Sequence, residues 1–457
     1  MLPLGVAAVT LAVTGQPLRT RVWLGAVAGV TYHVPTLAWL TDFHVLGYVA
    51  VAALQTGLLA LAVAVVPATR QGLWSGGWWA LPAALVLLEA VQARFPLGGF
   101  PLSALVLSQP GGPFAVAAPL GGSLLVTGVA GAAGVALAAL VLQRGRRRVV
   151  AASVAVTAAV APLVAAGGVT TPSVGVIDAA IVQGGGPRGV PAVFTDPREV
   201  TQRQLAAVRG VTGSPDLVLF PESTATVADS LDRTIEDAEL ADLARHLDTI
   251  LVAGIIESRS SSFRNAAVLW DPDGRRRDRY EKEHRVPFGE YIPGRALLER
   301  LTPVTALVPR DAEVGRGTAV LPSRVGPLGV VISYEVFFAD RVREAVRGGG
   351  QVLLVPTNAS SYVTEEVPAT EVAAARLRAR EFGRAVLQAA PTGYSAVVLP
   401  SGQVVAVSPL GSAAVLRAEV PLRRGATPYA RSGDLPMVVL AVAALAAGPA
   451  LGVARRR

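Results

Sequence analysis

Tyr280-Glu-Lys282-Glu-His-Arg-Val-Pro-Phe-Gly-Glu290-Tyr-Ile-Pro293 holds the only lysine of a chain with 41 basic side chains, every other one being arginine. An ammonium is a compact point charge on a thin stem, whereas a guanidinium is a planar fork. The two are not interchangeable where one developing oxyanion has to be reached. Beside Glu281 and Glu283 the same lysine could equally form an exposed ion pair, contributing less than about 1 kcal/mol. The sequence on either side decides between these readings.

From Val174 to about Ala430, β-branched runs alternate with charged helical stretches, the pattern of an α/β domain. Strands are expected at Gly175–Val182, Asp216–Phe220, Ile250–Glu257, Asn265–Trp270, Gly329–Ile332, Gln351–Pro356, Ala385–Ala390 and Ser395–Leu399. Helices are expected at Asp196–Val211, Val227–Leu247, Ala339–Arg347 and Thr370–Gly383. Asp271-Pro-Asp-Gly274 and Ser401-Gly402 suit hairpin turns. Three polar residues then fall where apolar strands stop. Glu222 follows Phe220-Pro221, Lys282 follows a hairpin, and Ser333 closes Leu328-Gly-Val-Val-Ile332 ahead of Tyr334-Glu335 and a helix. Strand carboxyl ends are the usual site positions in such sheets, and a strand-to-helix turn exposes its side chain. Singly, each residue has a plain structural reading: a loop glutamate, a helix-capping serine, a surface lysine.

Outside this domain the chain is apolar. Overall 52% of its residues are hydrophobic and 16% charged, against about a quarter charged in ordinary soluble domains. Six runs are long enough to cross a bilayer as helices: Val22–Leu40, Val45–Val66, Leu73–Ala93, Gly121–Leu142, Val149–Ala166 and Leu435–Val453. Leu2–Val13 is too short to cross alone, and alternation then predicts one more helix ahead of Met1. Arg19, Arg21, Arg70, Arg144, Arg146, Arg147, Arg148 and Arg455 to Arg457 fall on one side of such a bundle, which the positive-inside rule makes cytoplasmic. The expected organisation is therefore a transmembrane helical bundle over 1–168, an outward-facing α/β domain over 172–430, and a last helix with a basic tail over 435–457. These arginines also account for the net charge of +8, so no nucleic-acid partner is implied.

In order, Pro221-Glu222-Ser, the 280–293 stretch, Ser333-Tyr334-Glu335, Pro356-Thr-Asn358 and Arg378-Ala-Arg-Glu-Phe-Gly-Arg384 resemble the nitrilase superfamily. Val-Pro-Phe-Gly-Glu-Tyr-Ile-Pro narrows this to its membrane branch, apolipoprotein N-acyltransferase, as do Leu88-Glu89 and Gly98-Gly-Phe-Pro101. The resemblance implies an αββα sandwich and a Glu-Lys-Cys catalytic set. It also implies ping-pong acyl transfer from a phospholipid to the N-terminal amine of diacylglyceryl-cysteine lipoproteins, in the cell membrane. Glu222 matches the general base, Lys282 the oxyanion cation, and Glu290 and Glu335 the supporting carboxylates, with Tyr334 and Asn358 beside them.

The nucleophile position departs from the pattern. Ser333 stands where the family has cysteine, and the chain has no cysteine at all, which also excludes disulfides. A thiol is partly ionised at neutral pH and an alkanol is not. Ser333 is thus a serine nucleophile activated by Glu222 and Lys282, the mark of an inactive paralogue serving as a membrane scaffold, or an engineered change. A membrane-tethered amidase is the remaining alternative. The four histidines lack metal-ligand spacing, so neither metal nor cofactor is expected, and the chain is expected to be a monomer. Glu89 within a membrane helix is a functional candidate or a partner of Arg94. Trp74, Trp78 and Trp79 suit an interfacial belt, and 358–362 either a gate or a plain connection.

Overall fold

A computed structural model describes residues 1–66, 77–300, 305–306 and 308–453. Arg70, Trp74 and Arg455 to Arg457, expected to carry cytoplasmic charge and part of an aromatic belt, lie outside the described residues, as does the side chain of Trp78. The chain divides into two compact units, 1–170 with 427–457 and 171–426.

The first unit is helical: Leu2–Val13, Leu18–Thr36, Val45–Ala64, Gly77–Gln92, Ala118–Leu142, Gly145–Ala166 and Leu435–Val453. Among the described residues, Val45–Ala64, Pro113–Leu142 and Gly145–Ala166 are long and apolar enough to cross a membrane; Leu2–Val13, Trp79–Gln92 and Leu435–Ala447 are shorter apolar helices. The run expected over Val22–Leu40 begins earlier and stops at Thr36, one residue past Pro35; Ala38–Asp42 continues as a 3-10 turn. Gly25 and Gly29, four apart, let this helix press on the next: a Cβ would meet Ala60 Cα at 2.8 Å and Thr56 Cα at 2.9 Å. Glu89 does not pair with Arg94. Its carboxylate accepts from Val106 N and Thr127 Oγ1, both at 2.7 Å, while Arg94 bridges Asp434 at 3.0 Å.

The second unit contains fourteen strands among the described residues: β1 Ser173–Gln183, β2 Leu217–Leu219, β3 Ala225–Ala228, β4 Ile250–Ser258, β5 Ser262–Trp270, β6 Arg276–Glu281, β7 Asp311–Ala312, β8 Val320–Leu321, β9 Leu328–Val330, β10 Val352–Pro356, β11 Val386–Ala389, β12 Ala396–Val398, β13 Val404–Val407 and β14 Ala414–Arg423. One sheet runs β14-β1-β2-β4-β5-β6, with β3 beside β4 and β7 beside β5; the other runs β13-β12-β11-β10-β9-β8. β1, β2 and β4 are parallel, as are β9, β10 and β11. Val208, Leu240, Ala241 and Ala244 cover the first sheet in one buried cluster with Val218, Leu251 and Trp270. Helices Ala339–Arg347 and Glu366–Phe382 pack on the second sheet. The sheets are tied by Gln183 at the end of β1. Its Oε1 accepts from the Ser395 and Ser408 hydroxyls at 2.8 and 2.7 Å, and its amide donates to the carbonyls of Pro409 and Ser412. The result is the expected αββα sandwich.

All eight expected strands are present, with ends shifted by up to three residues. The helix expected over Val227–Leu247 is corrected. Ala225–Ala228 is strand β3, paired with β4, and the helix begins only at Ile235, capped by the Thr234 hydroxyl accepting from Asp237 N at 3.1 Å. Strands β6, β13 and β14 were not expected; β6, Arg-Arg-Asp-Arg-Tyr-Glu, has no apolar run to announce it, whereas β13 is the apolar Val-Val-Ala-Val.

Gly254 in β4 fixes the turn that carries Glu222. A Cβ there would lie 2.4 Å from Glu222 Cα and 2.5 Å from the Pro221 carbonyl oxygen. Pro221 O accepts from Gly254 N at 3.0 Å and from the Thr224 hydroxyl at 2.7 Å. Gly254→Ala must push this turn outward. Overpacking of this kind costs about 1–3 kcal/mol, so the variant is expected to unfold at lower temperature, as followed by tryptophan fluorescence, and to bind Glu222 less well to its partners.

Candidate active site

The groups converge at strand ends from both sheets. Glu222 follows β2 and Lys282 follows β6 in the first sheet; Ser333 follows β9 and Thr357 follows β10 in the second. Lys282 is pinned by its own backbone, its N donating to Asn265 O at 2.9 Å and its O accepting from Gly315 N at 2.8 Å. Its ammonium is 3% exposed and donates to Glu222 Oε1 at 3.1 Å and Glu290 Oε1 at 2.8 Å. The Asn265 amide donates to the same two oxygens, at 2.6 and 3.1 Å, and Val286 N donates to Glu290 Oε2 at 2.8 Å. An ammonium has three donors. The third has no partner among the described residues.

Burial works against the charged form of both Lys282 and Glu222, and their mutual attraction opposes it. For Lys282 the paired carboxylates win, holding it well above the ordinary lysine range and therefore cationic. For Glu222, burial wins and raises its pKa, with Glu290 adding repulsion and Lys282 and Asn265 offsetting part of it.

Glu335 holds the two halves together. Its fully buried carboxylate accepts from Glu283 N at 2.8 Å and His284 N at 3.0 Å on the lysine loop, and from Ile332 N at 2.7 Å just before Ser333. The Tyr280 hydroxyl donates to it at 2.8 Å and accepts from Arg341 Nε at 2.9 Å. Burial and Glu335 keep the Tyr280 phenol neutral, well above its usual pKa. Ser333 adopts φ +51°, left-handed backbone that a non-glycine residue holds at about 1–2 kcal/mol. Its side chain is buried, 7% exposed, rather than exposed as the turn alone suggests. Tyr334 packs edge-on to Phe338, with ring centroids 5.0 Å apart.

The expected site residues do not all meet. Glu222, Lys282 and Glu290 share hydrogen bonds, and Glu335 braces them through the backbone. Asn358 Oδ1 turns to Ser360 N at 3.1 Å, a local Asx turn. Ser333 has two hydroxyl-range partners that the motif reading left unassigned: Thr357 Oγ1 at 3.1 Å and Glu371 Oε1 at 3.5 Å, themselves 2.7 Å apart. Burial first, then Glu222, raises Glu371 to about 7, against the pull of Thr357, Lys282 and Ser333. A signal for Glu371 existed. It lies on the stripe Val367, Glu371, Ala374, Ala375, Arg378, Phe382, all buried, where a carboxylate interrupts a core-facing face. Of the Arg378–Arg384 motif, Arg378 and Glu381 form a buried pair at 3.1 Å, and Arg384 donates to the carbonyls of Gly350, Phe382 and Gly425. These fasten the helix end to the sandwich.

The family model described as carbon-nitrogen hydrolase matches residues 178–428, and that of the apolipoprotein N-acyltransferase N-terminal domain matches residues 1–136. The apolipoprotein N-acyltransferase of Mycolicibacterium smegmatis is 31% identical over 65% of this chain and 52% of its own length. That of Shewanella oneidensis is 28% identical over 51% of this chain and 47% of its own. The chain spans about half the length of the curated relatives it matches. Among solved structures, Saccharomyces cerevisiae Nit3, a member of branch 10 of the nitrilase superfamily, covers 55% of this chain and 91% of its own at 21% identity and a TM-score of 0.42.

Two outcomes are expected. Glu335→Ala leaves buried donors from two loops and a phenol unpaired, a loss of about 3–5 kcal/mol that chemical denaturation reads directly. The second concerns pH. Glu371 binds a proton more tightly folded than unfolded, so its contribution to stability is full below the unfolded value near 4.5 and is lost as pH rises through about 7. Melting temperature should fall over that window in the natural protein and fall less in Glu371→Gln.

Proposed function

The chain belongs to the carbon-nitrogen hydrolase family, and from that premise we propose that it is an apolipoprotein N-acyltransferase with serine as acyl carrier. It moves a fatty acyl group from a phospholipid to the N-terminal amine of diacylglyceryl-cysteine lipoproteins. The α/β unit faces outward from a multi-pass bundle in the cell membrane and acts as a monomer. The observation that carries this is the buried Lys282 ammonium, held by two carboxylates with its third donor left unpaired among the described residues and available to an oxyanion.

The geometry supports the following chemistry. Ser333 Oγ attacks the ester carbonyl, and Lys282 stabilises the oxygen that becomes negative. Glu290 orients the ammonium. Glu222, whose burial raises its proton affinity, serves as the base for the incoming amine in the second half-reaction. An oxygen ester is a poorer donor to an amine than a thioester, so the second half-reaction limits turnover.

Incubation of the purified protein with phospholipid and a diacylglyceryl-cysteine peptide should give a triacylated peptide by mass spectrometry. Ser333→Ala should abolish it, Lys282→Arg should reduce it by roughly 10²-fold or more as an oxyanion group is displaced, and Ser333→Cys should raise it. Absence of product from both the natural protein and Ser333→Cys would sink the proposal. Release of free acid without peptide transfer would instead favour the membrane-tethered amidase.

A further inference from the structure

We propose that Glu371 is the base that takes the Ser333 proton, a second catalytic carboxylate distinct from Glu222. The step uses the acyl-transfer reading for its natural electrophile, but the pairing of base and hydroxyl stands on geometry alone. Glu222 spends Oε1 on Lys282 and Asn265, and no hydrogen bond joins it to Ser333 among the described residues. Among the described residues, the carboxylate oxygen hydrogen-bonded to Ser333 Oγ is Glu371 Oε1, at 3.5 Å. Thr357 Oγ1 completes a triangle, 2.7 Å from that oxygen and 3.1 Å from Ser333 Oγ, all three residues being at most 7% exposed. Catalytic hydrogen bonds are commonly long until substrate is seated.

Three further features fit a base rather than a structural acid. Glu371 Oε2 is buried and has no hydrogen-bond partner among the described residues, so the carboxylate is under-satisfied. A structural carboxylate of this depth is normally saturated with donors, as Glu335 is. Its proton affinity near neutrality leaves a substantial anionic fraction at physiological pH and still lets it hold a proton once taken. The ionisable groups around it are Glu222, Lys282 and the Tyr362 phenol, which burial keeps neutral.

The step balances without a further reactant. The Oγ–C bond forms at the acyl carbonyl carbon as the Ser333 proton passes to Glu371. Collapse of the tetrahedral adduct breaks the bond from that carbon to the glycerol oxygen. That oxygen takes the proton from Glu371 and leaves as the lysophospholipid alcohol.

The experiment follows acylation of Ser333 by p-nitrophenyl butyrate in the full chain in detergent, using release of nitrophenol and mass spectrometry of the adduct. Glu371→Gln should slow acylation by roughly 10²-fold or more, the usual range for a lost general base, and should remove the rise in rate as pH passes through about 7. In a Ser333→Cys background the same glutamine should cost less than about tenfold, because a thiol ionises near pH 8.5 without help. If Glu371→Gln does not fold, Glu371→Asp carries the test, its retracted carboxylate lowering the rate while keeping the pH dependence. A rate within twofold of the natural protein in the folded variant overturns the proposal. So does an equal loss in the serine and cysteine backgrounds, which marks a structural role, and so does a natural protein that Ser333 labelling never reaches. Glu371-dependent labelling with no triacylated peptide from phospholipid overturns the acyl-transfer reading and leaves the base in place.

Discussion

The site is organised by the need to keep one ammonium charged where water is nearly absent. Lys282 is 3% exposed, and an unpaired cation at that depth would cost several kcal/mol. Two carboxylates, Glu222 and Glu290, meet it within 3.1 Å. A pair of anions facing one cation leaves excess negative charge, which the Asn265 amide and Val286 N offset by donating to the same carboxylates. The arrangement explains why arginine does not replace this residue in a chain that uses arginine everywhere else. A planar fork spanning both carboxylates would spend its donors on them and, in the proposed reading, fill the space an oxyanion would occupy.

Holding that cluster against Ser333 is a separate problem, because Lys282 and Ser333 follow strands of different sheets. Glu335 solves it with one buried carboxylate accepting from the backbone of Glu283, His284 and Ile332. Behind it, Arg341 orders Tyr280, whose hydroxyl donates forward to Glu335. The hydrogen bonds run one way, from Arg341 Nε to the Tyr280 hydroxyl to Glu335, and Glu335 also accepts from Ile332 N, so the strand-to-helix turn at Ser333 is over-determined. That is the condition under which left-handed backbone at a non-glycine residue persists.

What could be read from the sequence follows from what leaves a local trace. Parallel inner strands such as Leu217–Leu219 and Val352–Pro356 are buried on both faces and read as apolar runs. β6, Arg-Arg-Asp-Arg-Tyr-Glu, is a charged edge that becomes a strand only through antiparallel pairing with β5. β14 is half-exposed and carries Arg417, whose charge is met by Asp178 across the register with β1. The last two residues of β3, Val227 and Ala228, lay inside the expected helix, and β-pairing of Ala225–Ala228 with Ile255 to Ser258 decided otherwise. Glu222, Lys282, Glu290 and Glu335 were legible because their motifs are contiguous. Glu371 was legible only as a carboxylate on the buried face of its helix; its proximity to a residue 38 positions earlier was a property of packing.

A serine in place of a thiol changes what the rest of the site must supply. Glu222 is tied to Lys282 and Asn265, so its basicity and its position are set by the cation it neutralises. In the proposed reading, drawing Glu222 away to deprotonate a hydroxyl would loosen the ammonium as the oxyanion forms. A thiol tolerates that conflict because it gives up its proton with little assistance, whereas an alkanol needs a base at its oxygen as the bond forms. In the proposed reading, a carboxylate delivered by helix Glu366–Phe382, with its own hydroxyl neighbour in Thr357, removes the conflict. The cation would then remain with Glu222 and Glu290 while the Ser333 proton passes to Glu371.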